Sequence, residues 1–177
     1  IVTTKKHLFE ATRKGKLAII LAIENSDATE GSLNVLRMLF KLGVRSIGLT
    51  HNPRSLAADG VGESRTGGGL TNFGVQLVEE MNKLGIAVDL AHISEKGFWD
   101  TLEISRKPVI VSHGNCKAIC DHMRNLTDEQ IRGLASKRGV IGVTFVPAFV
   151  DEKKPSLSRL LDHIDHIVDI AGINHVG

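Results

Sequence analysis

Five times along this chain a glycine stands where a helix-like segment gives way to an apolar run rich in β-branched residues. The junctions are KLG before VRSIGLT at Gly43, KLG before IAVDLA at Gly85, KRG before VIGVTFV at Gly139, AG before INHVG at Gly172 and, more loosely, Gly15 before KLAIILAI. Glycine just past a helix end takes up the left-handed conformation that closes the last turn. One kind of α-to-β junction, repeated in this way, means a repeated βα unit, and right-handed crossovers then make the sheet parallel. The segments between the junctions agree. Residues 71–84 place Gly74, Leu77, Val78, Met81 and Leu84 on one helical face behind Thr71 as N-cap. Thr127 and Gln130 have capping-box spacing ahead of Ile131 and Leu134. Residues 157–171 carry Leu157, Leu160, Leu161, Ile164, Ile167, Val168 and Ala171 at helical period. Further helices are expected over 33–42 and 95–105. Strands are expected near 17–23, 44–50, 86–91, 109–112 and 140–146, with a sixth starting at 175.

A chain of 177 residues suits one domain with a sizeable core, and 42% hydrophobic with 24% charged residues is the balance of a soluble globular protein. Basic residues number 22 against 20 acidic ones and are scattered, so no electrostatic footprint for nucleic acid exists. No apolar run approaches the ~20 residues that a membrane helix needs. The opening stretch IVTTKKHLFEATRKGK lacks the layout of a signal peptide. Cys116 and Cys120, four apart in a stretch expected to be helical, are poorly placed to bridge each other and lack further cysteine partners for a metal. Two ordinary helix cysteines suit a reducing, cytoplasmic setting.

Four of the strand-like runs end in residues that can do chemistry: LAIILAIE in Glu24, VRSIGLTH in His51, IAVDLAH in His92 and PVIVSH in His113. Parallel strands buried on both faces carry active sites at their C-terminal ends. An open doubly wound sheet gathers its site from two strands at one switch point, whereas a barrel rim collects residues from many. Four successive endings therefore favour a (β/α)8 barrel, incomplete here because six strands do not close one of eight. His92 and His113 stand one βα unit apart, so two imidazoles project from neighbouring strands, and Glu24 adds the carboxylate that commonly completes a catalytic zinc site. Against this stands the bland reading, in which each histidine satisfies backbone groups at a strand end. His51 is a further ligand, an oxyanion donor or a capping residue at the start of the long loop 52–69. Arg124 suits bidentate capture of a substrate carboxylate, although the pattern alone favours a solvated surface arginine. His163 and His166 are expected on the solvent face of an outer helix. The Gly67–Gly69 run lacks a phosphate-loop ending and reads as a mobile flap.

Taken together, AIENSDA, GVRSIGLTHN, GIAVDLAHIS, PVIVSHGN, MRNLTDEQ and HIDHIVDIAGINHVG resemble the membrane (renal) dipeptidase family of binuclear zinc peptidases, in that family's order and close to its spacing. The resemblance implies a TIM barrel and hydrolysis of dipeptides through a hydroxide bridging two zinc ions. It implies that Glu24 is the carboxylate shared by both ions, that His92 and His113 bind the second, that His51 meets the scissile carbonyl and that Arg124 holds the substrate's C-terminal carboxylate. Asn25 and Ser26 stand where the family has two glycines. The family's first-strand His-x-Asp pair has no match in residues 1–15, and its proton-handling aspartate would follow HVG. The expectation is thus an internal portion of one barrel domain, about strands 2 to 7, inactive alone, with a homodimer left open. Two alternatives remain: a cyclic-amide or β-lactam hydrolase on the same barrel, and a noncatalytic barrel used as a binding module.

Overall fold

A computed structural model describes all of residues 1–177. In chain order the elements are α1 (Lys5–Arg13), β1 (Leu21–Ile23), a 3-10 turn (Ser26–Thr29), α2 (Leu33–Lys41), β2 (Val44–Gly48), a second 3-10 segment (Val61–Thr66) and α3 (Asn72–Leu84). There follow β3 (Ala87–Asp89), α4 (Glu95–Ile104), β4 (Val109–Gly114), α5 (Asp128–Ser136), β5 (Val140–Val143), α6 (Pro147–Val150), α7 (Leu157–Ala171) and a last 3-10 turn (Ile173–His175). Helices α3, α4, α5 and α7 each begin at a capping side chain. Thr71 accepts from the Gly74 amide, Thr127 and Gln130 form the reciprocal capping box, and Ser94 and Ser156 cap α4 and α7.

The strands lie in the order β1-β2-β3-β4-β5, every neighbouring pair parallel. Helix α2 touches α3, α3 touches α4, α4 touches α5 and α5 touches α7. Sequential strands with a continuous row of touching helices put every crossover on the same side of the sheet. That is an arc of a (β/α) barrel rather than a doubly wound sheet, which reverses its strand order midway. The sheet does not close. The sixth strand expected from residue 175 is present as one parallel bridge, Val176 to Ile141, with the amides of Val143 and Gly177 bonded to Gly177 and Ile141 carbonyls at 2.8 Å. Leu36, Ile47, Leu77, Val88, Phe98, Val109, Leu134, Ile141 and Ile167 form the layer between strands and helices. No helix is long and apolar enough to cross a membrane.

Several expectations are corrected. At Gly43, Gly85 and Gly172 the glycine does take positive φ, but at the junction before β5 the left-handed residue is Arg138 (φ 59°). Gly139 serves close packing instead: a Cβ there would meet the Val109 carbonyl oxygen at 2.5 Å and the Leu134 side chain at 2.7 Å. Cys116 and Cys120 occupy a turn after β4 rather than a helix, because Asn115 and Leu126 bond across that loop and hold it open. Both are free and buried, and burial pushes the Cys116 thiol up to about 12. On α7, Leu157 and Leu161 face solvent, while His163 is fully buried. Its Nδ1 accepts from the Cys116 amide at 3.0 Å and its Nε2 donates to the Val150 carbonyl at 2.9 Å, so both ring nitrogens are used. His166, on the same helix, pairs with Asp128 of α5 at 2.9 Å. The glycine run is pinned rather than free. Ser94 donates to the Gly68 carbonyl, the Leu70 amide to Asp100, and the Asp59 amide to the Gly69 carbonyl.

Candidate metal centre

Glu24 follows β1 directly, His51 lies three residues past β2, His92 three past β3, and His113 is the penultimate residue of β4. β2 and β3 stop earlier than their apolar runs suggest, so His51 and His92 ride on loops that leave the sheet. The four side chains nevertheless meet at one end of it. Nε2 of His92 is 3.2 Å from Glu24 Oε1 and 2.8 Å from Nε2 of His113, which is itself 3.7 Å from the same carboxylate oxygen. His51 stacks on His92 with ring centroids 4.1 Å apart and places Nε2 3.9 Å from Glu24. Glu24, His51 and His92 each offer one ligand atom within 4.8 Å of the other two. Two overlapping triads therefore share Glu24 and His92, one completed by His113 and the other by His51.

The backbone explains the convergence. Gly48 faces the chain at Glu24, where a Cβ would lie 2.3 Å from the Glu24 carbonyl oxygen, so β1 and β2 approach as closely as this only with glycine. Asp89 is buried at the end of β3, and its Oδ1 accepts from the amides of Ala91 at 3.0 Å and Ser112 at 2.9 Å. One oxygen thus fixes the residue before each of His92 and His113. His92 has φ 68°, a conformation rare outside glycine, and its carbonyl accepts from the Val61 amide at 2.8 Å. Its Nδ1 contacts Asn52 Oδ1 at 2.8 Å.

Electrostatics suit ligation. Burial, then Arg124, His51 and His113, lower the His92 pKa to about 3. Burial and Arg124 also lower His113, with Asp89 and Glu24 opposing. Both imidazoles are thus neutral near pH 7, the form that donates a lone pair to a metal. Two neutral histidines and a carboxylate are a standard donor set for zinc. Arg124, which pattern alone places in solvent, is instead only 5% exposed. It packs over the Phe149 ring at 5.6 Å and lines a cavity with His92, Leu90 and Val111. Its Nε and Nη2 have no partner in the protein. Burial lowers its pKa, against the opposing charges of Asp89 and Glu24. His122 accepts from the Arg124 amide at 3.1 Å, and its ring lies tilted against Phe149 with centroids 4.4 Å apart.

Asn52 and Asp89 were not among the residues expected at the site. Asp89 carried a signal, since an acid inside an apolar strand end demands a partner. Asn52 carried none beyond its place after His51.

The sequence profile of the membrane dipeptidases, peptidase family M19, matches residues 1–177. This chain belongs to the membrane dipeptidase family. Dipeptidase verJ of Clonostachys rogersoniana is 36% identical over 178 residues, covering 100% of this chain and 46% of that protein. An uncharacterized dipeptidase of Schizosaccharomyces pombe is 39% identical over 171 residues, covering 92% of this chain and 41% of its own length. The chain therefore spans about half the length of the curated relatives it matches. A crystal structure of a metallo peptidase from Rhodobacter sphaeroides, liganded with a phosphinate mimic of the dipeptide L-Ala-D-Ala, superposes with a TM-score of 0.92 at 30% identity, covering 99% of this chain and 53% of that one. The membrane dipeptidase fold thus continues beyond the arc seen here.

Proposed function

We propose that this chain carries part of the active site of a metal-dependent dipeptidase. The observation that carries the reading is the buried guanidinium of Arg124, whose Nε and Nη2 lack any partner while it lines the same cavity as His92. A buried, unpaired charge is expensive, and a carboxylate on the substrate would compensate it with two charge-assisted bonds. Glu24, His92 and His113 are the proposed ligands, with zinc as the metal and Glu24 as the group shared between two ions. When bound, such ions lower the pKa of water and polarise a carbonyl, so no protein nucleophile is required. Arg124 orients the C-terminal end of the dipeptide. His51, half-exposed over the His92 ring, donates toward the carbonyl oxygen as charge develops there.

A second reading makes His51 a ligand in place of His113, because Glu24, His51 and His92 also bring one ligand atom each within 4.8 Å of the others. Metal analysis of the full-length protein separates the two. His113→Ala should lose zinc and His51→Ala should keep it; the reverse result would exchange their roles. L-Ala-D-Ala, the dipeptide mimicked in the Rhodobacter sphaeroides structure, is the first substrate to assay. Chelation should abolish hydrolysis and zinc should restore it. Full activity after chelation, with His92→Ala still active, would remove the metallopeptidase assignment.

A further inference from the structure

We infer that Asn52 is a positioning residue that fixes which nitrogen of His92 is offered to the metal. Asn52 Oδ1 lies 2.8 Å from His92 Nδ1. An amide oxygen only accepts, so the proton resides on Nδ1 and the lone pair on Nε2. Nε2 is the atom that stands 3.2 Å from Glu24 and 2.8 Å from His113 Nε2. The loop that begins at Asn52 holds His92 at a second point, through the Val61 amide on its carbonyl, and the loop closes on itself through the Gly62 amide and the Asn52 carbonyl at 2.9 Å. Ring and backbone are thereby gripped by one loop, at a residue whose φ of 68° needs outside support. His113 has no such brace: its Nδ1 meets only the hydroxyl of its neighbour Ser112, at 2.9 Å. Partners of this kind set tautomer, ring orientation and basicity of a ligating imidazole.

The inference rests on the proposed ligand role of His92, and two measurements on the full-length protein keep the two ideas apart. Two-bond proton–nitrogen correlations of metal-stripped wild type should show the His92 proton on Nδ1. Finding it on Nε2 would overturn the inference, whether or not any variant folds. Zinc titration should then show Asn52→Leu binding about 10- to 100-fold more weakly than wild type, while Asn52→Asp, which keeps the accepting oxygen, binds at least as tightly. A leucine variant that binds zinc as tightly as wild type, or an aspartate variant as weak as the leucine one, would also overturn it. A wild-type protein that takes up no zinc would refute the ligand reading instead, leaving the tautomer measurement to decide the Asn52 contact.

Discussion

His163 shows what one side chain can do when both of its nitrogens are committed. It joins α7 to the turn after β4 through Cys116 and to the end of α6 through Val150, at 0% exposure. Burial lowers its pKa, with Arg159 and His166 adding to the shift and the Val150 bond and Asp162 opposing it. Protonation would also place a second N–H against the Cys116 amide. The sign follows by linkage: the unfolded chain takes up a proton near pH 6.5 and the folded chain does not, so this stabilisation is full above pH 6.5 and falls away as the pH drops toward the lowered value. Urea midpoints between pH 7.5 and pH 5 should therefore fall less steeply in His163→Gln, which starts from a lower stability, than in wild type; parallel slopes would remove His163 as a source of acid sensitivity. At the site, Arg124→Ala should raise KM for free dipeptides and leave hydrolysis of C-terminally amidated ones unchanged. Equal losses for both substrates would dismiss the carboxylate role. His51→Ala should lower kcat by roughly 10²-fold, the usual effect of losing one oxyanion donor, which parallel stopped assays with wild type would measure.

Elements were legible where the controlling interaction is local. Thr71, Thr127 and Gln130 bond within four residues of themselves, so their caps could be read from spacing alone. Strand lengths could not, because hydrogen bonding across the sheet decides them: β3 keeps only Ala87–Asp89 of an apolar run that continues to Ala91. The chemistry at strand ends was legible because a polar residue closing an apolar run is itself the signal, as for Glu24 and His113. His163 departs from the solvent-face expectation although it lies three residues after Leu160 and four before Ile167, squarely on the buried stripe of α7. Its partners at Cys116 and Val150 are remote in sequence, which is why the charge class of the residue prevailed over its position. Gly48 has a similarly remote cause in the Glu24 backbone. Gly48→Ala should destabilise the protein by about 1–3 kcal/mol through overpacking between β1 and β2. Metal affinity should fall with it, because Glu24 is carried on the displaced strand. Unchanged denaturant midpoint and unchanged zinc uptake would show that the pair of strands separates without consequence.

At the scale of the molecule, the sheet has two unpaired margins, β1 on one side and β5 with its single bridge to Val176 on the other. Closed barrels have none, and exposed strand edges are templates for pairing with other chains. Apolar side chains accompany both margins: Leu17 (86% exposed), Ile19 and Ile20 lead into β1, and Phe145 (77%) and Val146 follow β5. The proposed ligands are equally one-sided: Glu24, His92 and His113 converge on one position, and the second ion proposed to share Glu24 would need donors other than these three. Residues 1–177 expressed alone should therefore self-associate through these margins, bind about one zinc per chain and hydrolyse no dipeptide. Sedimentation, metal analysis and a dipeptide assay on the same preparation test the three outcomes together. The first follows from the open sheet and the other two from the ligand count. A soluble monomer binding one zinc would show that the margins are protected in solution while keeping the ligand count. An active monomer carrying two zinc ions would overturn both arguments, because the arc would then contain a complete centre made from side chains other than those assigned to it.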